Sequence, residues 1–141
     1  MIRTFEKGDL SPVMQLWLET NQQAHGFIPA AYWEENFPFV QEALPQAEVY
    51  VYEAEGKIKG FLGITGEYIA GIFVDKTAQS GGIGKQLLDH AKQCKTHLTL
   101  QVYQKNKRAV AFYRREGFWI QQEVVEENTG EKEFLMAWKR P

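Results

Sequence analysis

The stretch Gln79-Ser80-Gly81-Gly82-Ile83-Gly84-Lys85 says the most about the architecture of this 141-residue chain. It follows an apolar run over residues 67–74 and precedes a helical pattern over residues 83–95. Glycines let the backbone approach a ligand closely, and the first N–H groups of a helix are unpaired and partly positive. Lys85 adds a full positive charge. The stretch therefore predicts an anion-binding loop at a helix N-terminus, suited to a phosphate group.

Two common phosphate-binding patterns do not fit this loop. The ATP-binding loop requires a glycine at its first position and Ser or Thr after its lysine, where this chain has Gln79 and Gln86. The dinucleotide pattern requires a third glycine three residues beyond Gly84, where Leu87 stands. The pattern that remains is Q-x-x-G-x-G.

A second motif follows in the string N-K-R-A-V-A-F-Y-R-R-E-G-F, which starts at Asn106 and ends at Phe118. With both motifs in this order, the chain resembles N-acetyltransferases of the GNAT superfamily over nearly its whole length. The stretches at residues 25–28, 32–33 and 102–106 most resemble small bacterial acetyltransferases of the YiaC and YjaB type. That group includes protein-lysine acetyltransferases.

The hydrophobic periodicity predicts the element order β-α-α-β-β-β-α-β-α-β-β in a single domain over residues 1–141. This order indicates a mixed α/β or α+β fold. The resemblance implies a mostly antiparallel, twisted sheet with helices on both faces. The strand at residues 67–74 is apolar on both faces, which predicts a central, covered position. Pro38 is expected to kink or split the helix predicted for residues 30–44.

The resemblance implies acetyl-coenzyme A as the cofactor, with its pyrophosphate on the glycine-rich loop. A backbone N–H of Phe73 or Val74 is the expected donor to the oxyanion. Many relatives carry a basic or polar side chain where Gly81 stands, which leaves the pyrophosphate to backbone N–H groups, Ser80 and Lys85. The implied cofactor-binding residues are Ile72, Phe73, Val74, Gln79, Ser80, Gly81, Gly82, Ile83, Gly84, Lys85, Asn106 and Phe112.

Acetyl transfer to an amine requires a proton donor for the leaving thiolate and a neutral amine. The motif match makes Tyr113 the expected general acid, because a phenol pKa near ~10 lies close to a thiol pKa near ~8.5. Glu67, Tyr68 and His25 remain alternatives for the base, as does direct loss of the proton to solvent. The residues expected on the acceptor side are His25, Phe27, Tyr32, Trp33, Glu67 and Tyr68.

Composition excludes several classes of protein. The net charge of −2 argues against a general nucleic-acid coat, and the single cysteine, Cys94, excludes a disulfide framework. Cys94 falls on an apolar helix stripe and is expected in the core. No metal site is predicted, and no signal or membrane segment appears, so a cytoplasmic monomer or homodimer is expected. The charge divides unevenly: the acidic excess in residues 1–70 is expected to suit a cationic acceptor, and the basic excess in residues 71–141 a polyanionic cofactor.

These features predict an acetyl-coenzyme A-dependent N-acetyltransferase. The acceptor is expected to be a primary amine, either a protein lysine or a small amine, which attacks the thioester directly in a ternary complex. No nucleic-acid or membrane partner is expected. The alternative is a non-catalytic coenzyme A-binding regulatory module, against which the presence of Tyr113 speaks.

Overall fold

Seven strands and four longer helices follow one another in the predicted order. The computed structural model describes all of residues 1–141. The elements are β1 (Ile2–Thr4), α1 (Leu10–Ala24), α2 (Ala30–Ala43), β2 (Glu48–Ala54), β3 (Lys57–Thr65), β4 (Tyr68–Val74), α3 (Ile83–Cys94), β5 (His97–Tyr103), α4 (Lys107–Arg115), β6 (Trp119–Val125) and β7 (Lys132–Lys139). Three single turns of 3₁₀-helix lie at Lys7–Asp9, Leu44–Gln46 and Lys76–Ala78.

The strands form one sheet in the order β1-β2-β3-β4-β5-β7-β6, so β4 lies at its centre. Every neighbouring pair is antiparallel except β4 and β5, which are parallel. The predicted class, a mixed and mostly antiparallel sheet, is therefore confirmed. None of the helices has the length and apolar character needed to cross a membrane.

Helices cover both faces of the sheet, which confirms that part of the prediction. Val13 and Trp17 of α1 pack with Val51 and Phe61 of the sheet on one face. The opposite face carries α3 and α4, whose residues join a second core; its fully buried members include Leu87, Leu88, Leu98 and Met136. Burial of this apolar surface is the main force that holds both layers on the sheet.

Three local expectations differ from the structure. Pro38 lies inside α2 and does not split it, since the helix runs from Ala30 to Ala43. The carbonyl of Glu34, which the missing N–H of Pro38 leaves without a helical partner, belongs to an exposed residue, so water can bond it. Tyr68 and Ala70 of β4 are exposed, so the central strand is covered only in part. Cys94 is exposed in the last turn of α3 rather than buried in the core.

Strands β4 and β5 pair over a short distance and then separate. Their only paired residues are Tyr68 with Thr99 and Ile69 with Leu100, although both strands continue beyond these positions. We call the gap between residues 70–74 of β4 and residues 101–103 of β5 the cleft. Because α3 begins just after β4 and α4 just after β5, the N-termini of both helices lie at the same end of the cleft.

Candidate active site

The cleft exposes one backbone edge of β4. On the opposite edge, Asp75 donates its N–H to the carbonyl of Lys59 at 2.8 Å, and Phe73 pairs with Phe61 of β3. Because backbone groups alternate in direction along an antiparallel strand, those of Ile72 and Val74 point away from β3 and toward the cleft. The free edge can therefore bond an extended amide-bearing chain, and it favours Val74 over Phe73 as the donor to an oxyanion.

The side chain of Phe73 shapes the strand instead of facing the cleft. Its ring stacks on Phe61 with centroids 4.7 Å apart and lies directly over Gly71. A Cβ atom at Gly71 would come within 2.3 Å of that ring, so this position requires glycine. Of the three residues expected on the pantetheine arm, Phe73 thus contributes packing, whereas Ile72 and Val74 contribute backbone groups.

The predicted loop presents free N–H groups at the start of α3. Gly82 is the N-cap residue and has a left-handed φ of 84°, and the first helical bond runs from Gln86 N–H to Gly82 O at 3.0 Å. The N–H groups of Ile83, Gly84 and Lys85 consequently have no helical acceptor. Three free donors at the positive end of a helix fit a pyrophosphate, so this chain has a suitable cradle for coenzyme A.

Two cations, Lys85 and Arg108, lie beside this loop. Lys85 is less free, and Arg108 closer to the loop, than the sequence indicated. Lys85 Nζ lies 3.1 Å from Glu116 Oε1 and 3.3 Å from Asp89 Oδ2, so its charge is already shared with two carboxylates. Arg108, at the N-terminus of α4, donates from Nη1 to Gln79 Oε1 at 2.7 Å. The amide of Gln79 in turn donates to the carbonyl of Val74 at 3.1 Å. Arg108 therefore bridges the cleft to the loop, a role that its position in the sequence did not reveal.

Replacing Arg108 with Ala is expected to weaken coenzyme A binding by about tenfold, equivalent to about 1.4 kcal/mol. The substitution removes a guanidinium group next to the phosphate cradle and frees Gln79 from one of its two partners. Isothermal titration with coenzyme A measures the effect. Lys107→Ala is the matched control, because it removes the same charge from the neighbouring exposed position. An equal loss of affinity in both variants would contradict a specific role for Arg108.

Asn106 connects the cleft to the loop between α1 and α2. Its Oδ1 accepts the N–H of Ala109 at 3.2 Å as the N-cap of α4, which leaves its Nδ2 to donate to His25 Nε2, also at 3.2 Å. The ring of His25 stacks on Trp33 with centroids 5.3 Å apart and meets Tyr103 edge-on at 5.0 Å. Burial lowers the pKa of His25 to about 4, and the backbone of Asn21 offsets this in part. A pKa this low makes His25 a weak proton acceptor, and its Nε2 is already occupied by Asn106, so both observations argue against His25 as the base.

Tyr113 and Tyr68 approach the cleft from different elements. Tyr113 on α4 is buried, and its ring packs edge-on against Phe112 and Phe118 with centroids 5.2 and 5.6 Å away. Burial raises the pKa of Tyr113, and the nearby hydroxyl of Tyr68 raises it further, so the phenol keeps its proton at neutral pH. The Tyr68 hydroxyl donates to Gln101 Oε1 at 3.2 Å. Aromatic packing therefore holds Tyr113 in place, whereas a hydrogen bond to β5 holds Tyr68.

The other residues expected on the acceptor side divide into three groups. Trp33 is buried and packs edge-on against Trp17 at 5.9 Å, so its ring mainly stabilises the α1–α2 pair. Phe27 and Tyr32 are half-buried; they pack against aromatic neighbours, and the pKa of Tyr32 is raised by burial and by Glu126. Glu67 lies apart from the cluster, in a shallow depression, with its Oε1 3.6 Å from His97 Nδ1.

Comparison with known proteins agrees with this geometry. The family model of the acetyltransferase (GNAT) domain matches residues 45–120. The chain belongs to the GNAT family. The peptidyl-lysine N-acetyltransferase YiaC of Escherichia coli K12 is 39% identical over 140 residues, which cover 98% of this chain and 96% of YiaC.

Solved structures support the same assignment. The solution structure of apo YjaB from Escherichia coli superposes with a TM-score of 0.87 at 25% identity, covering 100% of this GNAT protein and 98% of YjaB. An acetyltransferase from Bacillus anthracis in complex with acetyl coenzyme A superposes with a TM-score of 0.62 at 25% identity. That match covers 67% of this chain and 63% of the other. This GNAT protein is accordingly an N-acetyltransferase that uses acetyl-coenzyme A.

Proposed function

We propose that this N-acetyltransferase acetylates primary amines, with protein lysine side chains as its preferred acceptors. The observation that carries the proposal is the polar cluster beside the cleft, where Tyr68, Gln101 and Tyr32 lie near the carboxylates of Glu126 and Glu133. A site of this character attracts a cationic amine and repels an acidic one. The similarity to YiaC, a peptidyl-lysine N-acetyltransferase, supports lysine as the preferred acceptor within this class.

We further propose that the amine attacks the thioester directly in a ternary complex, with Tyr113 as the general acid. The sole cysteine, Cys94, lies at the far end of α3 from the cleft. A helix of this length places it roughly 16 Å from the loop, too far to carry an acetyl group between the substrates. Residues 1–141 act as one unit in this proposal, because β1 and β7 belong to the same sheet.

A screen of acceptors that records the release of free thiol tests this function. Lysine peptides, polyamines, amino acids and aminoglycosides are compared at equal concentration, and lysine peptides are expected to give the highest kcat/KM. Initial rates with both substrates varied should give intersecting lines, whereas parallel lines would indicate an acetyl-enzyme. Tight coenzyme A binding without turnover of any acceptor would favour the regulatory module instead.

A further inference from the structure

Two carboxylates of the chain are buried, and only one of them has a cationic partner. Asp9 is 8% exposed and forms an ion pair with Arg3, whose Nη1 lies 2.8 Å from Asp9 Oδ2. Glu133 of β7 is 9% exposed and forms no salt bridge. Its only side-chain hydrogen bond is a long one of 3.5 Å, from Gln101 Nε2. Buried carboxylates in proteins are normally paired, so the fold alone does not account for Glu133.

Glu133 lies on β7, the strand that pairs with β5 on the side away from the cleft. It stands opposite Tyr103 in the β5–β7 pairing, at the end of β5 that borders the cleft. Gln101 links it to β4, because Gln101 donates to Glu133 and accepts the hydroxyl of Tyr68 at 3.2 Å. Glu133, Gln101 and Tyr68 thus form a row of hydrogen-bonded side chains that runs from β7 across β5 to β4.

We propose that Glu133 is the catalytic base, which binds the ammonium group of the acceptor and removes its proton before attack. This inference rests on the proposed function, since it presupposes a primary amine as the acceptor. A cationic amine would supply the partner that the buried carboxylate lacks. The aromatic rings of Tyr32 and Tyr103 beside it suit the aliphatic stem of a lysine side chain, which prefers apolar contacts below its charged end.

The proton transfers balance in this scheme. Glu133 takes one proton from the ammonium group, and the neutral amine forms a C–N bond with the thioester carbonyl carbon. The C–S bond breaks, and Tyr113 protonates the departing thiolate. The amide nitrogen gives up its remaining extra proton, which restores the Tyr113 phenol, and the proton on Glu133 passes to solvent. The products are the acetylated amine, free coenzyme A thiol and one proton.

The surroundings of Glu133 raise its pKa. Burial raises the pKa of Glu133, and the carboxylate of Glu126 in the β6–β7 turn raises it further. The other titratable groups that face it are the phenols of Tyr32 on α2, Tyr68 on β4 and Tyr103 on β5. A base works best when its pKa lies near the pH of the reaction. A carboxylate with a raised pKa therefore suits neutral pH better than an exposed carboxylate does.

The test compares Glu133→Gln with the wild type on a lysine peptide, over the full pH range of activity. The variant is expected to lose about 10²-fold in kcat/KM, the usual contribution of a general base. The kcat/KM of the wild type should rise with pH on the acidic side of its profile as Glu133 ionises. The variant should lack this rise, the acidic limb. An acceptor amine of low pKa, which is already neutral at the assay pH, should restore most of the variant's activity. A purely structural residue would show neither effect.

The control is Glu123→Gln, which replaces an exposed carboxylate on the neighbouring strand β6 and should keep the wild-type profile. Thermal melting verifies folding. A carboxyl with a pKa above its unfolded value destabilises the folded state once it ionises, so Glu133→Gln should melt higher than wild type near pH 7. This difference should vanish near pH ~3, below the unfolded glutamate pKa of ~4.3, where the carboxyl is protonated in both states.

Two results would overturn the inference, and they are distinguishable. If the wild type acetylates lysine peptides and Glu133→Gln keeps the acidic limb and the wild-type rate, only the role of Glu133 is wrong. If the wild type acetylates no primary amine, the proposed function is wrong, and the assignment of Glu133 falls with it.

Discussion

Replacing Tyr113 with Phe is expected to lower kcat by about 10²-fold while the Kd for acetyl-coenzyme A stays unchanged. The substitution removes a single hydroxyl and keeps the ring between Phe112 and Phe118, so packing is preserved. Without that hydroxyl, the thiolate must leave unprotonated or take its proton from water, and positioned proton donors contribute rate factors of about 10²–10⁴. Thiol release under saturating acetyl-coenzyme A measures kcat, and isothermal titration measures Kd.

Tyr52→Phe is the matched control, because Tyr52 lies on β2, away from the cleft, and loses the same group. Its kcat should equal that of the wild type. Normal turnover by Tyr113→Phe, together with normal binding, would show that another group protonates the thiolate. A loss of kcat that is accompanied by a lower melting temperature would instead indicate a packing role.

Gly82→Ala is expected to weaken coenzyme A binding at least tenfold. The left-handed φ of 84° at Gly82 directs the chain into α3, and an L-residue in that conformation costs roughly 1–2 kcal/mol. Relief of the strain moves the N–H groups of Ile83, Gly84 and Lys85 away from the positions that receive the pyrophosphate. A tenfold change in Kd corresponds to about 1.4 kcal/mol, which the loss of one or two aligned donors would produce.

The hairpin between β2 and β3 supplies a control with the same backbone strain. Gly56 has a φ of 73°, and a Cβ atom there would meet nothing within 4 Å; at Gly82 it would meet only the side chain of Gln86, at 3.9 Å. Gly56→Ala should therefore lose a similar amount of stability in chemical denaturation and retain the wild-type Kd. If both variants bind coenzyme A normally, the N-terminus of α3 does not form the cofactor cradle.

The distribution of charge acquires a different meaning in three dimensions. Residues 1–70 carry the acidic excess, which suggested that this half attracts the cationic acceptor. The structure instead places Glu126 and Glu133, both from the basic half, near each other and near Tyr32, where we propose that the acceptor binds. Many carboxylates of residues 1–70 lie on exposed faces of α2 and the hairpins. Charge totals over halves of the chain are a poor guide here, because β7 returns into the sheet between β5 and β6.

The element order and the cofactor loop could be predicted from the sequence for clear physical reasons. Periodicity reports which face of each element is buried, so the order of strands and helices followed directly from it. The loop at Gly82 depends on local backbone geometry, which glycine spacing encodes within a few residues. Cys94 was misjudged because it lies on a helix face whose exposure depends on what packs against it.

By itself, the sequence determined the anion-binding loop, the order of the elements and, through the two motifs, the family. Only the tertiary structure decided which residues meet. The separation of β4 from β5, the bridge from Arg108 to Gln79, and the unpaired carboxylate of Glu133 beside Gln101 join positions that are between 29 and 32 residues apart. Such contacts depend on strand pairing and helix placement, and no short-range pattern encodes them. Local chemistry therefore predicted the cofactor side, whereas the acceptor side required the fold.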